Sequence, residues 1–133
     1  MPATHHIDNE SRLIITKWEG EATDSEFIEA LKKYLEDIQS KSEYVSYNEI
    51  VNLTKATPMR LTMSGLLTIG QIASEADKRI YNKKMALVIK SDFALSFANM
   101  YIFFRNLGDK SRKQISVFKE EEDAYKWVKK DAP

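Results

Sequence analysis

The chain has 133 residues, 43% of them apolar and 30% charged, a composition typical of one globular domain rather than of a disordered or fibrous protein. Twenty basic and twenty acidic side chains cancel, so no net charge draws the protein to nucleic acid or to an acidic membrane. Cysteine is absent, which excludes disulfides, thiolate metal sites and thiol catalysis. We therefore expect a single domain over residues 1–133 that has no nucleic-acid partner.

The N-terminal stretch MPATHHIDNE lacks the basic and then apolar regions of a secretory signal. No apolar run approaches the roughly 20 residues that span a bilayer. These patterns predict a cytoplasmic protein without stable membrane insertion.

The first half of the chain reads as a hairpin, a helix and a strand. Residues 3–7 and 12–18 flank a turn-forming Asp-Asn-Glu-Ser cluster and predict two antiparallel strands. Residues 23–26, Thr-Asp-Ser-Glu, have the spacing of a capping box before an amphipathic helix. Residues 45–53 are rich in β-formers and predict a third strand.

A second helix is predicted from about residue 62 to residue 77. Gly65 and Gly70 within it indicate close packing against a neighbour. The apolar segment MALVIK, residues 85–90, then predicts a fully buried strand.

The most aromatic segment is FALSFANMYIFFRNL, residues 93–107, and it predicts a helix. Phe93, Phe97, Met100, Tyr101 and Phe104 recur at helical spacing, and further apolar side chains lie round the other side. Such a helix needs cover on more than one face. The sheet core, a second copy of the chain or a bound apolar ligand would each supply it, and we expect Phe97 and Phe104 to be more buried than any polar residue of the helix.

The last elements are a strand at residues 114–119 and a helix that begins with the acidic run 120–123, where the helix dipole favours negative charge. Strands that alternate with helices indicate right-handed βαβ units. The predicted class is therefore α/β, with a five-stranded mixed, mainly parallel sheet and about four helices.

Three stretches carry a resemblance to a known family: EIVNLTKA, MALVIKSDFALSFANMYIFF and VFKEEEDAYKWV. With the order of elements, they resemble STAS-like domains of the SpoIIAA-like family, whose wider members include antagonists of anti-sigma factors, and more distantly the Sec14-like lipid-binding domains. The resemblance implies a STAS-like fold over the whole chain and a regulatory role through protein contacts.

In phospho-switched members of the wider family, the second helix begins Asp-Ser-Ser/Thr-Gly, and a kinase partner modifies the first Ser. The matching residues here are Thr62, Met63, Ser64 and Gly65, and Asn52 stands where the preceding strand ends in Asp. The resemblance thus implies a degenerate switch at Asn52, Thr62, Met63 and Ser64. Ser64 remains open as an off-register acceptor, beside its interpretation as a cap or surface hydroxyl.

No catalytic, cofactor or metal site is predicted. His5 and His6 are adjacent on a strand and point to opposite faces, so they cannot share one metal ion. The four glycines form no phosphate-binding loop. The basic residues near the end of the aromatic helix are interpreted as a solvated loop, with an anion site as the alternative: Arg105, Lys110, Arg112 and Lys113.

Two functional hypotheses follow. The first is a non-enzymatic protein-interaction domain, a homodimer that uses the aromatic helix and the second helix near Gly65 and Gly70. The alternative is a small carrier or sensor of a lipid or another apolar ligand, with the aromatic helix as one wall. In either case the surface concerned is formed by Phe93, Phe97, Met100, Tyr101 and Phe104.

Overall fold

A computed structural model describes residues 2–77, 83–108 and 113–129. The strands are β1 (Ala3–Asp8), β2 (Leu13–Glu19), β3 (Ala22–Thr23), β4 (Asn48–Lys55), β5 (Met59–Arg60), β6 (Lys84–Val88) and β7 (Gln114–Phe118). The helices are α1 (Asp24–Tyr34), which continues into a π-helical turn at Leu35–Gln39, then α2 (Met63–Ala76), α3 (Asp92–Gly108) and α4 (Glu121–Lys129).

Five strands form one mixed sheet in the order β1-β2-β4-β6-β7. β1 is antiparallel to β2, with Ala3 opposite Trp18 and Asp8 opposite Leu13. The other neighbours are parallel. The predicted class and strand content are therefore confirmed, and β3 and β5 add a two-stranded parallel pair that the sequence patterns did not predict.

Local signals explain where the helices begin. Thr23 caps α1, since its hydroxyl accepts a hydrogen bond from the Glu26 N–H at 3.3 Å. The Thr23 hydroxyl also donates to the Glu26 carboxylate at 3.0 Å, so the predicted Thr-to-N–H bond of the capping box is present, with the Glu26 side chain bonded to the hydroxyl. Thr62 caps α2 in the same way, through the Gly65 N–H at 3.0 Å.

The two faces of the sheet are covered differently. Of the described helices, α4 is the one that packs on one face, where Ala124 and Val128 contact Leu13, Ile50 and Val88. The opposite face carries α1 over the β1–β2 side and α3 over the β6–β7 side. α2 packs against both α1 and α3. The cover for the aromatic helix thus comes from two directions within the chain, the sheet and α2.

In the strand predicted to be fully buried, the residues from Met85 through Ile89 are all buried. The close approach predicted at Gly65 is also observed, because a Cβ there would overlap the Asp24 carboxylate. At Gly70 a Cβ would meet only ordinary contacts, with its nearest neighbours 4.0 Å away on Arg105 and Tyr101.

Candidate functional site: an apolar cavity and a buried charge cluster

A cavity of about 150 Å³ lies between the sheet and helices α1, α2 and α3. β4 contributes Val51 and Leu53 to its wall, and β6 contributes Met85 and Leu87. The alternation of side chains along these strands directs those residues to one face, while Ile50 and Ala86 point to α4. The cavity therefore belongs to the three-helix side of the sheet.

The helices complete the wall with aliphatic and aromatic side chains. They are Phe27, Ala30 and Leu31 of α1, Leu66, Ile69 and Ala73 of α2, and Ala94, Phe97, Ala98 and Tyr101 of α3. Small residues occur on all three helices, and their short side chains leave the volume that larger ones would fill.

One end of the cavity is charged. Glu49, Asp77 and Lys113 line it, and Lys83 and Arg105 lie beside them. We call these five residues the charge cluster, and the exposed fraction of every one of their side chains is 7% or less. Charged groups this deeply buried are rare unless they are paired.

The charge cluster is held by a chain of short contacts. Lys83 Nζ lies 2.5 Å from Glu49 Oε1, and Lys113 Nζ lies 3.5 Å from the same oxygen. Lys113 Nζ also lies 3.2 Å from Asp77 Oδ2, which accepts a hydrogen bond from Arg105 Nη2 at 2.6 Å. Lys113 therefore bridges the two carboxylates.

Neutral groups extend this network. Lys83 donates to Gln39 Oε1 at 3.0 Å, and Gln39 Nε2 donates to the Tyr34 hydroxyl at 3.1 Å. Arg105 Nη1 donates to the Tyr101 hydroxyl at 3.0 Å. Among the described residues, no buried side-chain nitrogen or oxygen lacks a hydrogen-bond partner.

Burial and charge compete in setting the pKa values of the cluster. Burial alone would raise the pKa of the Glu49 carboxyl, but Lys113 and Lys83 outweigh it and hold that pKa below its usual value. Burial would lower the pKa of Lys113, yet Glu49 and Asp77 raise it. For Lys83 burial dominates over the attraction of Glu49, and the pKa is lowered. Tyr34 has its pKa raised, first by burial and then by Glu49.

His5 is the one exposed residue among those that line the cavity within the described chain. The ring of His5 lies 4.9 Å from the ring of Tyr34, and His5 Nδ1 is 2.7 Å from Thr16 Oγ1. Partial burial lowers the pKa of His5, and Asp37 opposes that shift.

The five predicted aromatic-helix residues do not share one environment. Phe97 and Tyr101 line the cavity, and Met100 and Phe104 pack with them against α2. Phe93 is 61% exposed at the start of α3, although its ring contacts the ring of Phe97 at 5.0 Å. Phe103, one of the apolar side chains predicted on the other side of the helix, is also exposed.

The expectation that Phe97 and Phe104 exceed every polar residue of α3 in burial is wrong. Arg105 is only 2% exposed, whereas both phenylalanines are half-buried. The reason is that α2 covers the aromatic face incompletely, while the guanidinium reaches Asp77 in the interior.

The solvated-loop interpretation is wrong for Arg105 and Lys113, because both side chains are buried in the charge cluster. Lys110 and Arg112 lie outside the described residues. Weak signals existed: Arg105 follows an apolar run, and Asp77 ends a helix where the dipole disfavours a carboxylate. Neither signal identifies which residue the buried Arg105 or Asp77 contacts.

The degenerate switch positions are spread over two faces of the sheet. Asn52 of β4 donates to Glu121 Oε2 at 2.5 Å, and its own oxygen accepts from Thr54. Thr62 is the cap of α2, while Met63 and Ser64 are exposed in its first turn. The α2 N-terminus already holds a carboxylate, since Asp24 accepts hydrogen bonds from the Thr62 N–H and hydroxyl.

In residues 2–77, 83–108 and 113–129, no three His, Asp or Glu side chains lie close enough together to hold a metal ion. None of the helices so described is both long and apolar enough to cross a bilayer.

The arrangement of sheet and helices defines a class of protein. It is similar to the crystal structure of an uncharacterised protein of the DUF3478 family with a SpoIIAA-like fold from Shewanella loihica PV-4. The TM-score is 0.55 at 13% sequence identity, and the match covers 95% of this chain and 93% of the other. The chain therefore has a SpoIIAA-like, STAS-like fold, as the resemblance implied. No family model matches the sequence, and neither does any curated protein.

Proposed function

We propose that this chain is a non-enzymatic STAS-like domain that binds an apolar small molecule in the cavity beneath α1, α2 and α3, as a carrier or sensor. The observation that carries the proposal is the cavity itself, about 150 Å³ of space lined mainly by aliphatic and aromatic side chains. Proteins seldom leave such volume in a core, because every unfilled site loses dispersion contacts.

The polar groups of the site also support binding rather than chemistry. Each member of the charge cluster is engaged with another group of the protein, as in a structural network. His5 is likewise engaged, by Thr16 Oγ1 at 2.7 Å and by the ring of Tyr34. The Asp24 carboxylate at the α2 N-terminus further supports a domain that does not use phosphate there as a switch.

The test is to identify what the protein carries. Native mass spectrometry of freshly purified protein, beside organic extraction of the same sample, reports any bound molecule. Toluene, an uncharged molecule with one aromatic ring, then probes the emptied cavity, and we expect it to shift the ¹H–¹⁵N NMR signals of residues that line the cavity. If no molecule is extracted and neither toluene nor a long-chain alcohol binds, the proposal is wrong.

A second candidate function is protein interaction through a homodimer, which would use α2 and α3. Four large apolar side chains are exposed in the described chain, and all belong to these adjacent helices: Met63, Leu67, Phe93 and Phe103. A second copy would cover them, since a twofold contact places the same patch on both partners. Gly65 and Gly70 are buried within the chain, so they do not belong to this surface.

Sedimentation equilibrium over a wide concentration range tests the dimer. We expect Leu67→Glu with Phe103→Glu to shift the mass towards the monomer, because each adds a charge to an apolar interface. Lys126→Glu, exposed on α4 across the sheet, is the control. If the parent protein stays monomeric at all concentrations, the homodimer is excluded. The proposal that the cavity binds a small molecule is unaffected by that result.

A further inference from the structure

We infer that the cavity selects a small uncharged molecule, about the size of one aromatic ring or a hydrocarbon of six to eight carbons, and not a membrane lipid. The inference rests on the proposed function and adds the chemical class of the ligand. It follows from three properties of the site: its volume, its apolar lining, and the fact that the buried groups at its charged end already have partners within the protein.

The volume limits the size of the ligand. The cavity measures about 150 Å³. An apolar cavity of about 150 Å³ in another protein stays dry and binds benzene or xenon. Pockets for drug-sized molecules span roughly 300–1,000 Å³. A single ring therefore matches the volume of the cavity, whereas a complete lipid acyl chain exceeds it.

The side chains that line the cavity limit how polar the ligand can be. Between β4 and α2, the facing side chains are hydrocarbon, such as Val51 and Leu53 against Leu66 and Ile69. A polar group placed among them would lose its hydrogen bonds to water without replacement. The polar lining consists mainly of the charged end with Gln39, and of His5 and Thr16.

The charged end excludes a charged ligand. Its buried groups already have partners among themselves, so no ligand is needed to satisfy them. A ligand carboxylate there would face Glu49 and Asp77, and an ammonium would face Lys113 with Lys83 beside it. Either charge would lose its hydration beside a like charge, whereas one hydroxyl can both donate and accept without adding charge.

A titration series of matched probes tests the inference, with ¹H–¹⁵N NMR chemical shifts of the full chain as the readout. Toluene and hexan-1-ol represent the proposed class. Hexanoate and hexylamine keep the length and add a charge of either sign. Hexadecan-1-ol and phosphatidylcholine vesicles represent long-chain ligands and membrane lipid.

Two leucine substitutions on α2 localise the binding. Ala73→Leu fills the cavity, because Ala73 is buried and lines it. Ala76→Leu is the matched control, exposed on the same helix and absent from the lining. If Ala73→Leu does not fold, Ala30→Leu on α1 takes its place, since Ala30 also lines the cavity and is only half-buried.

We expect toluene and hexan-1-ol to bind the parent and Ala76→Leu, and to lose binding in the cavity-filling variant. The charged probes should bind at least about tenfold more weakly than hexan-1-ol. Hexanoate or hexylamine that binds as well as hexan-1-ol overturns the uncharged class. Binding of the long-chain probes alone overturns the size limit while the proposed function stands. No binding by any probe defeats both proposals.

Discussion

Asp24 joins the beginnings of two helices. It lies in the first turn of α1, and its carboxylate accepts hydrogen bonds from the Thr62 N–H at 2.8 Å and the Thr62 hydroxyl at 2.5 Å. Negative charge is favourable at a helix N-terminus. Gly65 permits the approach, because any side chain there would overlap the carboxylate. This residue-scale contact positions α2 over α1.

Thr62→Ala should lower the free energy of unfolding by about 1 kcal/mol, the typical cost of losing a threonine cap. The variant also removes the hydroxyl that donates to Asp24. Urea denaturation measures the change. Ser64→Ala, exposed two residues later, is the control and should stay within about 0.5 kcal/mol of the parent. Equal losses in both variants would contradict the capping role.

His5 should make stability depend on pH near neutrality. Burial lowers its pKa in the folded state, so the unfolded chain binds more protons as the pH falls. The contribution of His5 to the free energy of unfolding is fully present above about pH 6.5, the ordinary pKa of histidine. It is lost as the pH falls from there towards the lower pKa of the folded state.

Urea denaturation at a series of pH values between about 5.5 and 7.5 tests this, since that window brackets the ordinary histidine pKa. His5→Gln should flatten the slope of the free energy of unfolding against pH in this window. A slope that survives in His5→Gln would assign the titration to another group.

At the scale of elements, α3 has three different sides. Ala94 and Ala98 face the sheet, Phe97 and Phe104 face α2, and Phe103 faces outward. The periodicity of the apolar residues predicts the helix but does not say which stripe meets which neighbour. Its apolar circumference is explained in part by two packing partners within the chain.

Phe97→Ala should lower the free energy of unfolding by about 3 kcal/mol, the lower end of the range for a core phenylalanine, because Phe97 is half-buried. Phe93→Ala is the matched control on the same helix. Phe93 is 61% exposed, so its truncation should cost about 0.5 kcal/mol or less. Thermal or urea unfolding decides the matter, and similar values for the two variants would contradict the placement of α3.

At the scale of the whole molecule, the charge cluster ties together segments that are far apart in the chain. Glu49 is on β4, Lys83 and Lys113 directly precede β6 and β7, and Asp77 and Arg105 come from the C-terminal parts of α2 and α3. The amino ends of the parallel strands therefore meet the C-terminal ends of two helices at one buried point. The cluster closes one end of the cavity.

Glu49→Gln should destabilise the fold by about 3–5 kcal/mol, because it leaves Lys83 and Lys113 without the carboxylate between them. Glu120→Gln is the control, since Glu120 and Lys90 form an exposed pair at 4.0 Å. It should cost at most about 0.5 kcal/mol. Denaturant unfolding of both variants measures the difference, and a Glu49→Gln variant as stable as the control would refute a structural role for the cluster.

Local sequence patterns were enough to predict the α/β class, the order of the main elements, the Thr23 cap and the buried strand at residues 85–90. These features depend on local chemistry. Caps act within one turn, and the spacing of apolar residues reflects the geometry of a single helix or strand. The resemblance in three short stretches pointed to the same SpoIIAA-like fold that the structural comparison shows.

The cavity and the buried charges, in contrast, arise from contacts between segments that are distant in the sequence. The cavity is lined jointly by small side chains of three helices and by residues of β4 and β6, which are far apart in the sequence. Arg105 and Lys113 are buried because Asp77 and Glu49 reach them from other elements, although charged residues usually remain in water. Whether a charge is exposed or paired depends on which segments converge, and that depends on the packing of the whole chain.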